Sequence, residues 1–378
     1  NDGRMNASLP RLALVSIGIR RDLLAPLRYF TQFELVHFFR VNQYDDWTAA
    51  DQVANLQAYR SPLDLYRQLA RAKPNVIQGV EPFSFYTQPY LWACYFAARK
   101  TNAALLVATL ENRPLAIKFG RARAFLLRTL LRAYFRRACL VLTLNHGARE
   151  NVLQCGADAA KIQRALWGVW GADIQEFTPR AARAIHAPPT ILFAGRLHPE
   201  KGIWVLLDAF QLVLEKIPHA RLLVAGAGPA RAELEKKIHA QRLADHVTLL
   251  GAVKNREMVS VFQQADVFCA PSLTTRKWTE QVGAAALQAL ACGLPVVSTR
   301  SGAIPEFIPD DAGILVAEQN PNALADALTQ LLSDPARADQ MGRFARAYAE
   351  KHYAAQQNVM RGETLVMQHC MRHHARRV

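Results

Sequence analysis

Short, unbroken apolar runs, several of them closed by glycine, recur along this 378-residue chain with helical stretches between them. The second half has TILFAG, ARLLVAG, HVTLLG, DVFCAPS and LPVVST; the first has RLALVSIG, ELVHFF, NVIQGV, AALLVATL and CLVLTL. A run without alternation is a strand buried on both faces. Such strands pair in parallel, because helices cover both sides of the sheet. Helical stretches fall near 63–72, 83–100, 120–137 and 146–155, then near 202–215, 230–239, 255–264, 281–291 and 322–332, with a tail from 336 to about 371. This alternation predicts two doubly wound, Rossmann-like α/β domains. The stretch WGADIQEFTPRAARAIHAPPT (170–190) interrupts it and reads as the connection. The expected boundaries are 1–178, 179–350, and a helical tail over 351–378 that crosses back to the first domain. Ligands of open α/β sheets collect at the carboxyl ends of strands. Two sheets facing a central cleft would therefore suit a two-part substrate.

Three loops at strand ends carry chemistry. In FAGRLHPEKG a strand stops at Gly195, Arg196 and Lys201 follow, and a helix opens near Gly202. Two cations beside a helix N-terminus make a diphosphate site, although solvation alone also places Arg and Lys in such loops. It is no P-loop, since GxxxxGK[ST] is missing. LLVAGAGPA has Gly226 and Gly228 but an incomplete GxGxxG, and reads better as a tight turn with proline in the first helical turn. In TRKWTEQVGAAALQALACG, Val282, Gly283 and Ala284 offer amides at a helix N-terminus, which carries about half a positive charge. Glu280 just ahead would repel phosphate but accepts hydrogen bonds from neutral hydroxyls. A plain dipole-stabilising acid explains that stretch equally well. Gln288 lies two turns along and reaches toward a ribose. Together these features suit a nucleotide diphosphate-sugar. Asp45–Asp46 and Asp310–Asp311 lack the DxD spacing, and no His/Cys/Asp cluster stands out. No metal or cofactor is expected. Arg196, Lys201 and the helix dipole would neutralise the leaving group.

The net charge of +15 lies mostly in residues 1–180, where 24 Lys/Arg minus 13 Asp/Glu gives +11. That points to an anionic partner. Gly120–Arg137 alone holds six arginines and no acid. Arg128, Arg132 and Arg136 recur at i, i+4 with Arg121 on their side; Leu126, Leu127, Leu130 and Tyr134 take other faces. Such a helix lies on an anionic membrane or is a solvated face over a packed one. No recognised nucleic-acid module accompanies the charge, and no nucleic-acid partner is expected. No apolar stretch approaches the roughly 18 residues of a membrane span. No cleavable leader is expected ahead of the first strand. The six cysteines form no CxxC and mostly sit among apolar residues, so reduced, buried thiols are expected.

Over 190–335 the chain resembles the retaining glycosyltransferases of family 4, the glycosyl transferases group 1, of GT-B architecture. GRLHPEKG, VAGAGP, LLGAVKNREMVSVFQQADVFCAPS and ACGLPVVSTRSGAIPE carry the likeness. TTRKWTEQVG, EPFS, TLEN and GVWGADIQEFTP are similar to a bacterial subgroup tied to cell-surface polysaccharides. The resemblance implies a metal-independent enzyme moving a hexose, with retention, from a nucleotide diphosphate-sugar to a glycan or lipid-linked acceptor. It would work at the inner, cytoplasmic face of the cell membrane, with Arg121–Arg137 as contact. On the donor side it implies Gly195, Arg196, Lys201, Gly226, Val253, Glu280, Val282, Gly283, Ala284 and Gln288. Arg196 and Lys201 would grip the diphosphate and Glu280 the sugar hydroxyls. Gln288 replaces the second acid of the family's E-x7-E, which removes charge assistance at the ribose. On the acceptor side it implies Gly18, Glu81, Glu111, Asn112 and Asn145, with Asn112 in a catalytic place where TLEN replaces a common histidine. The glycine-rich loop after the first strand is reduced to SIGIRRD. These departures leave a weak or inactive carbohydrate- or nucleotide-binding paralogue as the alternative, with a basic nucleic-acid-binding protein behind it.

Overall fold

The computed structural model describes residues 9–43, 46–47, 55–181 and 188–371. The chain forms two compact units. One takes the residues up to Trp170 together with those from Gln356 onward; the other is Gly171–Ala355. The expected divisions at 178/179 and 350/351 thus fall at 170/171 and 355/356.

In the first unit the strands are β1 (Arg11–Val15), β2 (Glu34–Phe39), β3 (Asn55–Ala58), β4 (Val76–Gln78), β5 (Ala104–Thr109), β6 (Ala138–Thr143) and β7 (Ile162–Arg164). They make a parallel sheet in the order β3-β2-β1-β4-β5-β6-β7. Its helices include α1 (Pro62–Ala72), α2 (Gln88–Thr101), α3 (Leu115–Phe119), α4 (Arg121–Arg137) and α5 (His146–Gln154). Local chemistry sets their ends. Ser61 caps α1 by accepting from Asp64 N at 3.1 Å, and Lys73 closes it in the left-handed region. Leu65 and Leu69, one turn apart, face the core, each worth about 1.5–3 kcal/mol when fully buried. Helix α2 starts at Gln88 rather than near 83. The Thr87 hydroxyl donates to Glu81 O and Ser84 O, holding a turn there, and Pro89 suits the first helical turn.

The second unit repeats the pattern. Its strands are β8 (Thr190–Ala194), β9 (Arg221–Ala225), β10 (Val247–Gly251), β11 (Val267–Ala270), β12 (Val296–Thr299) and β13 (Gly313–Val316). The order is β10-β9-β8-β11-β12-β13, again all parallel. Helices include α6 (Ile203–Lys216), α7 (Arg231–Ala240), α8 (Ala284–Ala291), α9 (Pro321–Ser333) and α10 (Pro335–His352). Leu206, Leu207 and Phe210 of α6 pack with Leu324, Leu328 and Leu331 of α9 in one buried core. In each sheet the strand order reverses beside the first strand, between β1 and β4 and between β8 and β11. Those are the switch points where such sheets bind ligands.

Two expectations need correction, and a third is sharpened. The stretch after Trp170 starts at the division between the two units, and its described residues pack within the second. Ala172 N donates to Tyr353 O, Phe177 is buried, and Arg180 pairs with Asp266 at 2.8 Å. The long tail helix is broken at Tyr353–Ala354, because those backbone groups bond Ala172 instead; α11 (Ala355–Val366) and one wider turn at Met367–Met371 follow. Not all cysteines are reduced. Cys139 of β6 is disulfide-bonded to Cys370, while Cys94, Cys155, Cys269 and Cys292 are free and buried. Burial pushes the Cys94 thiol up to about 12.

Candidate functional site

Gly202 joins the loops that follow β8 and β11, and Gly226 joins the ends of β8 and β9. Gly202 has a φ of +71°, and a Cβ there would lie 1.8 Å from Pro271 O. Only glycine allows that approach. Leu273 N donates to Glu200 O at 2.8 Å across the same seam. A Cβ on Gly226, at the end of β9, would lie 1.9 Å from Gly195 O, so Gly226 packs the strand ends together; Pro229 lies in the turn before α7, not in its first helical turn as expected.

This seam places Lys201 against Glu280. Lys201 Nζ donates to Glu280 Oε2 at 2.7 Å and lies 4.6 Å from the centre of the Trp278 ring. Ser272 Oγ donates to the same oxygen at 2.8 Å. The two side chains are only 19% and 11% exposed, so pairing is what lets both charges stay out of water. Gly283 follows in the left-handed region and opens α8. The first amides bonded to its carbonyl are those of Ala286 and Leu287. The amides of Gly283, Ala284 and Ala285 are therefore the orphan donors of this helix end among the described residues. Val282 is buried there; Gly283 and Ala284 are half-buried. Gln288, also half-buried, follows Ala284 by four residues and shares its face of α8. Arg196 is exposed, and its guanidinium has no bond among the described residues. Val253 is half-buried in the loop after β10, two strands away from β8. Gly195, Arg196, Lys201, Glu280 and Gly283 thus converge on the switch point of the second sheet.

Sequence reading missed the residues that hold Glu280 in place. Glu318, beyond β13, accepts from Thr274 N at 2.6 Å and from Thr274 Oγ1 at 2.7 Å. Thr274 Oγ1 also lies 3.1 Å from both Thr279 Oγ1 and Ser301 Oγ. Ala303 N donates to Glu280 O at 2.9 Å. This clamp fixes both ends of the 274–280 loop, and no motif surrounds Glu318 to announce it.

In the first unit, four of the five expected residues gather at the carboxyl ends of β4, β5 and β6. Glu81 accepts from Thr109 Oγ1 at 2.7 Å and from Leu110 N and Phe83 N, both at 3.2 Å. Burial, with the Glu111 charge adding to it, pushes its carboxyl up to about 7. Glu111 is buried, pairs with Lys118 and accepts from Arg113 N at 2.9 Å. Asn145 caps α5 through Ala148 N at 2.7 Å and donates to Leu110 O at 2.9 Å. The Asn112 backbone packs on Gly147, where a Cβ would lie 2.6 Å from Asn112 O. Glu81 and Asn145 thus brace the 109–112 turn. Gly18 stands apart, in a short strand pair with Val41 and against Gln43.

Residues 175–348 match the family Glycosyl transferases group 1. The chain is 36% identical over 231 residues to D-inositol 3-phosphate glycosyltransferase of Corynebacterium urealyticum, covering 56% of this chain and 53% of that one. It is 33% identical over 196 residues to the putative colanic acid biosynthesis glycosyltransferase WcaL of Escherichia coli, covering 51% and 48%. The matches span about half the length of these relatives. The fold is similar to that of Anabaena HepE, solved in complex with UDP and glucose, with a TM-score of 0.75 at 16% identity over 94% of this chain and 99% of that one.

Proposed function

We propose, from the premise that the C-terminal unit belongs to the glycosyl transferases group 1 and the fold is GT-B, that this chain moves a hexose from a nucleotide diphosphate-sugar to an acceptor. The observation that carries this reading is the buried Lys201–Glu280 pair beside the open N-terminus of α8. A diphosphate brings at least two negative charges. Arg196, Lys201 and about half a charge from the helix end offset most of that charge even with Glu280 counted against Lys201, and a reaction without a metal goes with this reading. Glu280, kept off the phosphates by its own charge, is left to accept hydrogen bonds from sugar hydroxyls. In the reaction the bond from the anomeric carbon to the β-phosphate oxygen breaks. The acceptor oxygen forms the new bond, and its proton passes to the departing phosphate. Entry on the face the diphosphate leaves gives retention with no protein nucleophile.

The acceptor side is the turn braced by Glu81 and Asn145. Likeness to WcaL and to the TTRKWTEQVG subgroup supports a glycan or lipid-linked acceptor in cell-surface polysaccharide synthesis. Work at the inner face of the cell membrane goes with that reading.

A thermal-shift panel of UDP, GDP, ADP and TDP sugars tests the reading, with UDP-glucose as the first probe because HepE was solved with UDP and glucose. One nucleotide class should raise the melt by an amount equivalent to about 2.7 kcal/mol at a hundred times Kd. Glu280→Ala should then cost about 100-fold or more in turnover while changing nucleotide affinity less than about three-fold. Undiminished turnover in Glu280→Ala would remove the role given to that carboxylate. A nucleotide-dependent shift with no release of nucleoside diphosphate from any donor would favour the inactive paralogue.

A further inference from the structure

The loop after β8 carries a second pair besides Lys201 and Glu280. His198 Nδ1 bonds the Glu200 carboxylate two residues on, and the two side chains are 41% and 13% exposed, so water screens the carboxylate only partly. The turn between Arg196 and Lys201 is held from three sides. His198 N donates to Arg196 O and Lys201 N to His198 O, both at 2.9 Å. From the loop after β9, Ala230 N donates to Leu197 O, and a Cβ on Gly228 would lie 2.3 Å from that oxygen. From the loop after β11, Leu273 N donates to Glu200 O at 2.8 Å. These contacts keep His198 and Glu200 beside the two cations.

Charge counting shows what the pair does there. Arg196 and Lys201 are cations and Glu200 and Glu280 are anions, so the four cancel. The loop after β9 brings no ionisable residue before Arg231, which pairs with Glu235 at 2.9 Å. The loop after β11 brings Arg276 and Lys277 ahead of Glu280. A half-buried carboxylate beside an incoming diphosphate opposes binding unless its charge is neutralised. Histidine is the side chain type whose charge ordinarily changes between about pH 5 and 8, and His198 already bonds that carboxylate. We infer that His198 takes up a proton from solvent when the donor diphosphate binds, which links donor affinity to pH. The inference rests on the diphosphate site proposed above and adds a group to it. With Nδ1–H donated to Glu200, Nε2 is the nitrogen that receives the proton. The imidazolium answers two negative charges, Glu200 through the hydrogen bond and the diphosphate through its field. Linkage is reciprocal: as the diphosphate holds the proton, the proton holds the diphosphate. In mild acid the proton is already in place and affinity is highest. As pH rises through the imidazole range the proton must be acquired at binding, and affinity falls.

Isothermal titration calorimetry of the full chain tests this, with UDP-glucose first and then the GDP, ADP and TDP sugars. A sugar nucleotide is used because its diphosphate is esterified at both ends and keeps a fixed charge over this range. Titrations near neutral pH in HEPES and in Tris, which differ in ionisation enthalpy, should show uptake of roughly 0.3–0.5 proton per site, and affinity should fall about three- to ten-fold from about pH 6 to pH 8. His198→Gln should abolish the uptake, match wild type at the alkaline end and bind about three- to ten-fold more weakly at the acid end, with an unchanged melting temperature in the absence of ligand. Glu200→Gln should bind more tightly than wild type at the alkaline end and move the decline to lower pH. Wild-type binding that is flat with pH and equal in heat between buffers overturns the inference and leaves the donor site standing. Uptake that survives in His198→Gln, or a decline that Glu200→Gln does not move, also overturns it. Failure of every sugar nucleotide to bind removes the donor site and this inference together. The wild-type measurement needs no variant, so a His198→Gln chain that folds poorly does not shelter it.

Discussion

Replacing Lys201 by methionine removes the cation from the Glu280 pair while keeping most of the stem over Trp278. At 2.7 Å and an effective dielectric near 20, the attraction is roughly 6 kcal/mol before desolvation is subtracted. Intact buried pairs come out near neutral, but taking away one partner strands the other charge and costs about 3–5 kcal/mol. Ser272 still donates to Glu280, and Lys201 is 19% exposed, which softens the loss. We expect about 2–4 kcal/mol, or a fall of roughly 5–12 °C in the melt of the second unit. Glu280→Gln added to Lys201→Met removes the stranded charge and keeps an acceptor for Ser272. The double variant should therefore regain most of the stability, with a coupling of about 2–3 kcal/mol. Urea unfolding of wild type, both single variants and the double variant measures the cycle. A Lys201→Met loss below about 0.5 kcal/mol, or strictly additive singles, would refute the claim that pairing holds these charges in place.

Gly302 has a φ of +55°, and a Cβ there would lie 2.1 Å from Glu280 O; Gly302→Ala should cost about 2–4 kcal/mol and most turnover, and a soluble, fully active Gly302→Ala would exclude that contact. Glu318→Ala should lower kcat about ten-fold with nucleotide affinity unchanged, and Glu318→Gln, which keeps one acceptor for Thr274, should lose less; equal losses in nucleotide binding would make Glu318 merely structural. Glu81 holds its proton up to about 7 in the fold against an ordinary 4.5. The stability it lends is fully present below about 4.5 and fades as pH rises through about 7, by roughly 3 kcal/mol. Glu81→Gln should flatten that decline in unfolding curves taken from pH 4 to 8; an unchanged slope points to other groups. Thiol titration of the unfolded, unreduced chain should count four free cysteines, and a count of six would exclude the Cys139–Cys370 bond.

The central strands were legible because burial on both faces leaves an unbroken apolar run. The edge strands of the first sheet were not, unlike the edge strand β10: β3 (NLQA) and β7 (IQR) are short and partly polar, because one side has no neighbour. Lys201, Gly202 and Glu280 were legible because each lies within a few residues of the turn or helix start that defines its role. Glu318 was not, since only the sheet order brings the end of β13 to the Thr274 loop. The disulfide joins cysteines 231 positions apart, a distance over which spacing carries no information. Helix α4 reads from sequence as arginine-rich. Only the packed fold separates Leu127 and Tyr134, which are core, from Leu126 and Leu130, which are bare.

The first unit is completed by residues that follow the whole second unit in the chain. Glu363 is fully buried and accepts from Thr31 N and Gln32 N, and the Met367–Met371 turn packs on β5 and β6. Between Trp170 and that segment lies the whole second unit. At about 5–20 residues per second, the first-unit sheet built from residues 11–164 waits roughly 10–40 s for its last layer. The second unit, continuous in the chain, can fold within that interval. During biosynthesis the maturation order is therefore inverted: the sheet of the first unit is finished only after the second unit has been made, and a nascent chain stalled before residue 356 would carry a complete second unit and an unfinished first one.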